Sequence, residues 1–565
     1  MMQRKPAALT AEEFDLVIVG GGIFGAAAAW DAALRGLKTA LVEAKDFANG
    51  ASAQCFKMVH GGIRYLQHGD LKRLNFSCNE RSVLLNIAPH LVNPLPIVIP
   101  TYGNGRRGKL ILSAGMRLYD ALTLNRNRNI TDPSRHVPNT RTLSRDEVLS
   151  LFPDIERQGL TGGAEFCDGQ IYSPPRLVLA FVRSAVNAGA VACNYVEATG
   201  FLWDRKRVRG VRVRDALSGE VFDVRAKLVL NAAGPGAEYL LEHPHFGCWQ
   251  RGKFSRDAYF IVNRSCSSYH GLAVTGQTRD RDAFFSRANR HLFVVPWRNV
   301  TLIGVWHRHF PEHPDTALVL REEIDEWIAE LSVTYPALDL KRNEVVHANC
   351  GLVPFGKSES SDEDLSFGKE SRFIDHAREH GVQGLVTLVG IRYTTGRGDA
   401  ARALDLLLKQ LPKPPPSAPT HAIPLLGGDI DDFTQLHRQA HAQRPEWLNE
   451  SSLDALLRNH GSRYTRLLRQ AQRDTERIAG SNTLGVEVTH AVVEEMAQCL
   501  SDVVLRRTDL GTAAHPGFTA LEQTAQRMQP LLGWSDRQRD EQVLATDQLL
   551  RAHQAFARTP AAAAA

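Results

Sequence analysis

A chain of 565 residues, 43% hydrophobic and 23% charged, has the composition of a globular protein and the length for roughly two to four domains. Its net charge of +5 is scattered rather than gathered into basic blocks, which excludes a nucleic-acid partner while leaving a mildly basic surface suited to an anionic membrane. The eight cysteines include no C-x-x-C pair, which excludes zinc-ribbon and dithiol redox spacings and fits reduced thiols in a cytoplasmic compartment.

The opening MMQRKPAALTAEEFD carries no apolar signal core, and the uncharged run Leu16–Trp30 is too short to span a bilayer, so membrane contact is expected to be peripheral. Leu16–Val19 is an apolar run of strand type. Gly20, Gly22 and Gly25 then fit G-x-G-x-x-G, Ala26–Leu34 continues as a helix, and Lys38–Val42 returns as a second buried strand closed by Glu43. Each part has a physical reason: Gly20 allows a tight turn, Gly22 lets the backbone approach a pyrophosphate, and Gly25 lets the helix pack on the strand. The helix N-terminus offers free N–H groups to phosphates. Glu43 is placed to accept hydrogen bonds from a ribose diol, which disfavours NADP. Between NAD and FAD the stretch itself does not discriminate; its place at the start of the chain leans towards FAD.

Farther on, Leu71–Ala88 reads as a helix, and Asn93–Ile99, interrupted by Pro94 and Pro96, as an edge strand or extended connection. Arg107–Leu124 is helical, Asn125–Pro138 a basic loop, and Ser144 with Glu147 forms a capping box for a short helix. Pro174–Gly189 reads as a helix and Val191–Phe201, Arg207–Arg214 and Val221–Val224 as strands. KLVLNAAGPGAEYL is a buried strand entering a small-residue turn at Gly234, where a dinucleotide can approach the backbone. Residues 258–309 are strand-rich, Glu322–Tyr335 is helical, and the acidic run Glu359–Asp364 is a solvated loop. LVTLVGIRYTTGRGDAARALDLLLKQL is again strand, glycine turn and helix, able to return a late segment to the nucleotide. A proline-rich linker follows, then a glycine-poor helical region without a catalytic constellation. Three roles are open for that region: packing on the catalytic body, pairing two copies as a homodimer, or neither.

MVHGGIRYLQHGDLKRLNFSCNERSVLLNIAPHLV, LVLNAAGPGAEY, LFVVPWRNVTLIGVWH, LVGIRYTTGRGDAARAL and THAVVEEMAQCLSDVVLRRTDLG resemble, in this order, segments of the FAD-dependent, quinone-linked glycerol-3-phosphate dehydrogenases. The resemblance implies an α/β, two-domain, Rossmann-type flavoprotein of the amino-acid-oxidase kind, with a mixed-sheet substrate domain and an all-α C-terminal domain. The expected FAD-binding domain is discontinuous (14–92, 150–250 and 345–411), with a substrate domain from 93–149 and 251–344, a linker at 412–433 and the helical domain at 434–558. The implied cofactor is FAD. The implied reaction takes a secondary alcohol such as glycerol 3-phosphate to the ketone, hydride passing to flavin N5 and electrons then to a membrane quinone at the inner face of the cytoplasmic membrane. Two other readings stay open: an oxygen-using flavin oxidase of an amine or hydroxy acid, and a flavin-binding protein without catalysis.

Carried over residue by residue, Gly20, Gly22, Gly25 and Glu43 hold the adenosine diphosphate half, Ser52 and Lys57 lie near pyrophosphate and flavin, and Val196 faces adenine. Gly234, Gly390, Thr394 and Thr395 belong to turns beside the cofactor. His60, Gly61 and Gly62 flank the isoalloxazine, His60 being either a structural histidine or the proton-handling group. Arg64, Tyr65 and Arg392 are substrate-side, the arginines as anion contacts. The chain also departs from the family pattern. Val353 stands where an arginine is usual in G-V-R-P, Arg392 replaces a lysine, Tyr259 an expected histidine, and Val305-Trp306-His307 a T-T-D. Tyr259 and His307 are each weighed as substrate-side groups against a core aromatic and a solvated histidine. Valine cannot imitate a bidentate phosphate clamp, so the alcohol is expected to differ from glycerol 3-phosphate or to be held in another way. No metal site is expected.

Overall fold

Strand β1 (Phe14–Val19), helix α1 (Ile23–Leu34) and strand β2 (Thr39–Val42) form the crossover expected from the glycine turn. The computed structural model describes the chain except residues 1, 68, 104–108, 248, 250–251, 267, 280–288, 355–370 and 556–565, and except the side chains of 64, 67, 109–111, 278–279, 289–290 and 555. The side chain of Arg64 and the acidic run 359–364 therefore lie outside the described residues.

β1 pairs in parallel with β2 on one side and with Val221–Asn231 on the other. Leu385–Val389 and Val191–Cys193 extend the parallel sheet, and Arg372–Asp375 adds an antiparallel edge. A parallel strand covered on both faces must be apolar throughout, and β1 obeys. Leu16 and Ile18 join the core under α1, Pro174–Asn187 and Gly396–Leu408, while Phe14, Val17 and Val19 join the core under the hairpin Val196–Asp204/Arg207–Asp215. The alanine row Ala26–Ala29 is fully buried and lets α1 lie close to its two neighbouring helices. The expected single strand Val191–Phe201 is broken at Tyr195, which has φ +56°. Val221–Asn231 is conversely one strand, its first half in the hairpin sheet and its second in the parallel one.

The second sheet has nine strands and is antiparallel except where Val92–Tyr102 meets Gly271–Arg279. Val92–Tyr102 is not an edge strand. It pairs along its length with Leu160–Ile171, and with Gly271–Arg279 only at Ile97 and Val98. Pro94, Pro96 and Pro100 share one parity, and so little pairing on that side tolerates their missing N–H groups. Met58–Val59, Leu160–Ile171 and Val345–Pro354 also belong to this sheet, so the expected segments 14–92, 150–250 and 345–411 all divide between the two layers. Burial periodicity identifies a strand but not the sheet it joins.

The C-terminal helices, from Phe433–Ala442 to Asp536–Ala555, enclose two cores of their own and pack on the catalytic body through buried ion pairs. Asp46, fully buried in the loop after β2, receives Arg507 through Nη1 and Nη2 and Arg506 through Nε, all at 2.7 Å. Both arginines come from one π-helical turn, Val503–Arg507, an i→i+5 insertion of the kind found at functional sites, and as neighbours in sequence they converge on one carboxylate. Glu495 similarly takes Arg176 at 2.6 Å and Arg183. No described helix is long and apolar enough to cross a membrane.

Candidate active site

The turn between β1 and α1 is built from backbone contact. Gly20 has φ +103°, and a Cβ there would lie 2.6 Å from the Ala232 carbonyl oxygen. A Cβ on Gly25 would lie 1.9 Å from the Gly20 carbonyl oxygen, so only glycine lets α1 start this close to the strand. Gly22 is the N-cap of α1, and the Ile23 N–H next to it donates to Ser52 Oγ at 3.0 Å. Glu43 accepts the N–H groups of Gly21 at 2.6 Å and Lys45 at 2.9 Å. Burial raises its carboxyl above the usual range in spite of those donors. Gly234, at φ +59°, has open space where a side chain would stand, whereas a Cβ on Gly390 would strike the Phe24 ring.

Gly20, Gly22, Glu43, Ser52, Gly234 and Gly390 border a cavity of about 1180 Å³, above the roughly 300–1,000 Å³ usual for one small ligand and roomy enough for an extended dinucleotide with a small substrate. Val196 is not on its wall. That residue is fully buried and donates its N–H to the Glu43 carbonyl at 2.8 Å; Glu197 and Ala198 face the cavity instead. Thr395 is also turned away, its hydroxyl donating to Asp399 at 2.8 Å, while Thr394 lines the cavity and accepts the His60 N–H at 3.1 Å.

His60 stands in the same cavity with 47% of its side chain exposed, and its Nδ1 lies 3.1 Å from Asp168 Oδ2. Asp168 is 3% exposed and also accepts the Gly61 N–H at 2.6 Å and Arg81 Nη1 at 2.9 Å. Burial opposes its ionisation, but His60, Arg81 and Gly61 together hold the carboxyl below the ordinary value. A carboxylate on Nδ1 selects the tautomer that leaves Nε2 unprotonated. Gly61 is needed because a Cβ would lie 2.2 Å from Arg81 Nη1, and Gly62 because its φ is +80°. Sequence reasoning missed Asp168, which lies in the mixed-sheet strand Leu160–Ile171; Asp168-Gly169-Gln170 has no motif spacing to His60.

Lys57, 4% exposed and at φ +61°, donates to the Tyr259 hydroxyl and sits 4.8 Å from the ring centres of Tyr259 and Trp297. Burial pushes its amine down to about 7. Asn349 donates to the same hydroxyl at 3.0 Å, and His347 Nε2 lies 3.2 Å from Asn349 Oδ1. The His347 ring stacks at 4.8 Å on His553 of the last helix, whose Nδ1 lies 3.0 Å from the Ala348 carbonyl. Tyr259 thus ends a buried polar chain reaching the C-terminal domain. Asn349, His347 and His553, none singled out from sequence, all border the cavity.

Arg392 Nη1 donates to Ser77 Oγ at 2.7 Å and to the Tyr65 hydroxyl at 3.0 Å, and the Arg73 guanidinium lies over the Tyr65 ring, 5.0 Å from its centre. His307 Nδ1 lies 2.8 Å from Asp257 Oδ1 across paired strands, and both border the cavity. Val353 borders it too, an apolar wall between Leu352 and the end of its strand.

Residues 15–396 match the family of FAD dependent oxidoreductases, and residues 418–539 match the C-terminal domain of alpha-glycerophosphate oxidase. The glycerol-3-phosphate dehydrogenase of Synechocystis sp. is 31% identical over 544 residues, covering 94% of this chain and 95% of that protein. The corresponding Mycobacterium leprae protein is 31% identical over 543 residues, covering 94% and 87%. An X-ray structure of the glycerol-3-phosphate dehydrogenase from Bacillus halodurans complexed with FAD shares the fold, with a TM-score of 0.74 at 23% identity over 99% of this chain and 98% of that one. With a dinucleotide cradle, a two-sheet catalytic body and a helical C-terminal domain in the same order, the chain belongs to the FAD-dependent glycerol-3-phosphate dehydrogenase family.

Proposed function

We propose that this protein oxidises the secondary alcohol of a polyol phosphate, glycerol 3-phosphate foremost, to the ketone. The observation that carries the reading is the His60–Asp168 pair, opening onto the cavity that also holds the Gly20–Gly22–Glu43 cradle. FAD, when bound, supplies the two-electron acceptor for the hydride. His60 Nε2 takes the hydroxyl proton, while Asp168 holds Nδ1–H and stabilises the imidazolium that forms. Arg81 keeps Asp168 ionised from behind. Arg392, held by Ser77 and Tyr65, binds the phosphate as a fork of donors. The walls of Lys57, Tyr259 and Trp297 exclude water from the alcohol carbon.

Val353 leaves one flank of the cavity apolar, which supports an anion held chiefly by Arg392 and a substrate larger or less charged on the Val353 side. Electrons leave to a quinone, with the protein at the inner face of the membrane; the net charge of +5 and the absence of a spanning helix among the described residues support a peripheral position. The test is anaerobic titration of the FAD-loaded protein with glycerol 3-phosphate, glycerol and other polyol phosphates, followed by reoxidation with a quinone analogue or with oxygen. Bleaching of the flavin by a phosphorylated polyol and rapid return with the quinone analogue is the expected result. Bleaching only by amines or 2-hydroxy acids, or return with oxygen as fast as with the quinone analogue, would overturn it.

A further inference from the structure

Outside the lining of the cavity, the first two helices of the C-terminal domain carry a group of metal-ligating side chains with no part in the chemistry above. His437 and His441 lie one turn apart on Phe433–Ala442, where residues four apart share a face. Their rings stack with centres 4.3 Å apart. Both Nε2 atoms aim at one oxygen of Asp454, on the neighbouring helix Glu450–His460, at 2.8 Å and 2.7 Å. All three ligand atoms lie within 4.8 Å of one another. The side chains are 40%, 24% and 48% exposed, so an ion can reach them and the rings can adjust.

Two imidazole nitrogens and a carboxylate oxygen converging on one point form a borderline-soft donor set. It suits a tetrahedral divalent ion with nitrogen and oxygen ligands about 2.0–2.2 Å away and a water in the fourth position. Two histidines four apart on a helix have the spacing that lets both reach one ion. A second group of this kind, His460, His490 and Glu495, is fully buried in the same domain. Its carboxylate is already engaged by Arg176 at 2.6 Å and by Arg183, so two guanidinium groups stand where a cation would have to sit. In the outer group, among the described residues, Asp454 forms ion pairs with the two histidines and none with a guanidinium, Arg458 on the same helix acting on it only through its longer-range field.

We propose that His437, His441 and Asp454 form a binding site for a divalent transition-metal ion of the zinc type, which ties the first helix of the C-terminal domain to the second. The site is independent of the flavin cavity. Metal takes the lone pair of each Nε2 atom while the ring proton sits on Nδ1, so the ion competes with protonation of the rings and binding weakens as the pH falls.

The test uses the full-length, FAD-loaded protein dialysed against zinc chloride, followed by metal analysis, with the double variant H437Q/H441Q and the single variant D454N as comparisons. Wild type is expected to retain one equivalent of zinc more than the double variant, and zinc is expected to raise the unfolding midpoint of wild type but not of that variant. Flavin content reports whether each variant is folded; if the double variant loses flavin, D454N supplies the comparison. Equal zinc retention by wild type and the folded variants would place any bound zinc on the thiols or the inner group and overturn the proposal. So would the same rise in midpoint in all of them.

Discussion

The His60–Asp168 pair sets the first prediction. Replacing Asp168 by Asn keeps the shape but removes the charge that holds Nδ1–H and stabilises the imidazolium. General-base catalysis is worth about 10²–10⁴ in rate, so kcat is expected to fall by about 10² or more while flavin content is retained. An unchanged kcat would show that another group takes the proton. The same substitution leaves Arg81, which is 0% exposed, without its carboxylate, so a lower unfolding temperature should accompany the loss. Lys57 gives a second prediction, read from pH. Its amine titrates near about 7 when folded against 10.5 when free, so between those values the unfolded chain binds the extra proton and stability rises with pH. Each unit is worth about 1.4 kcal/mol. Wild type should therefore lose stability relative to Lys57→Met as the pH falls from about 9 to about 6, measured by denaturant titration; parallel curves for the two proteins would show a lysine that is not desolvated. At this scale the sequence is uneven. Gly20, Gly25 and Glu43 act through neighbours within one crossover, and their roles are local enough to read. Asp168 reaches His60 from another strand, and Val196 owes its orientation to a break at Tyr195 that no motif announces.

At the scale of the element, the π-helical turn Val503–Arg507 and the loop after β2 behave as one part. Asp46 lies between Glu43, at the nucleotide turn, and Ser52, which receives the first helical N–H of α1, so the C-terminal domain grips the loop that shapes the cradle. Burial alone would raise the Asp46 carboxyl, but Arg507 and Arg506 hold it below its ordinary value. Removing one side of such a buried pair costs about 3–5 kcal/mol, because the remaining charges stay desolvated. Asp46→Ala is expected to lower the unfolding temperature by several degrees and to make the chain cleavable near the linker by a dilute protease, with weaker retention of flavin. Protease resistance equal to wild type would mean that the apolar cores alone hold the domain in place. The R-R-T-D-L-G stretch is recognisable in the sequence, yet its partner is 461 residues away at Arg507 and 460 at Arg506, so a role in docking is visible only once the fold is built. The capping box at Ser144 is the opposite case: donor and acceptor are three residues apart, and the helix Arg145–Leu151 begins where the pattern says.

Across the whole molecule, the cavity is assembled from parts that fold around different cores. The parallel sheet brings Gly20, Glu43 and Gly390, the mixed sheet brings Asp168, Tyr259 and Asn349, and the last helix, Asp536–Ala555, brings Leu549 and His553. The order of these parts along the chain was legible because each is a local pattern of period and turn. The closing of the cavity by its final helix was not, because Leu549 and His553 sit in an ordinary helical stretch, and His553 gains meaning only against Ala348 and His347. That closure is open to a direct test by ending the chain after Gly533. The truncation removes the Leu549 wall and the His347–His553 stack, contacts worth on the order of 1–3 kcal/mol together. It leaves the Gly20 turn, the Glu43 contacts and the Asp46 clamp in place, although Val543 and Leu550 are lost from the C-terminal core. Flavin should therefore remain bound, with KM for the polyol phosphate raised about tenfold, the change that about 1.4 kcal/mol produces. Iodide should quench the flavin fluorescence more strongly than in the full chain. His553→Ala, which keeps the core residues, should move both readings the same way by a smaller amount. If KM and quenching stay at their full-length values in both variants while flavin is retained, the last helix is a support for the domain rather than a wall of the active site.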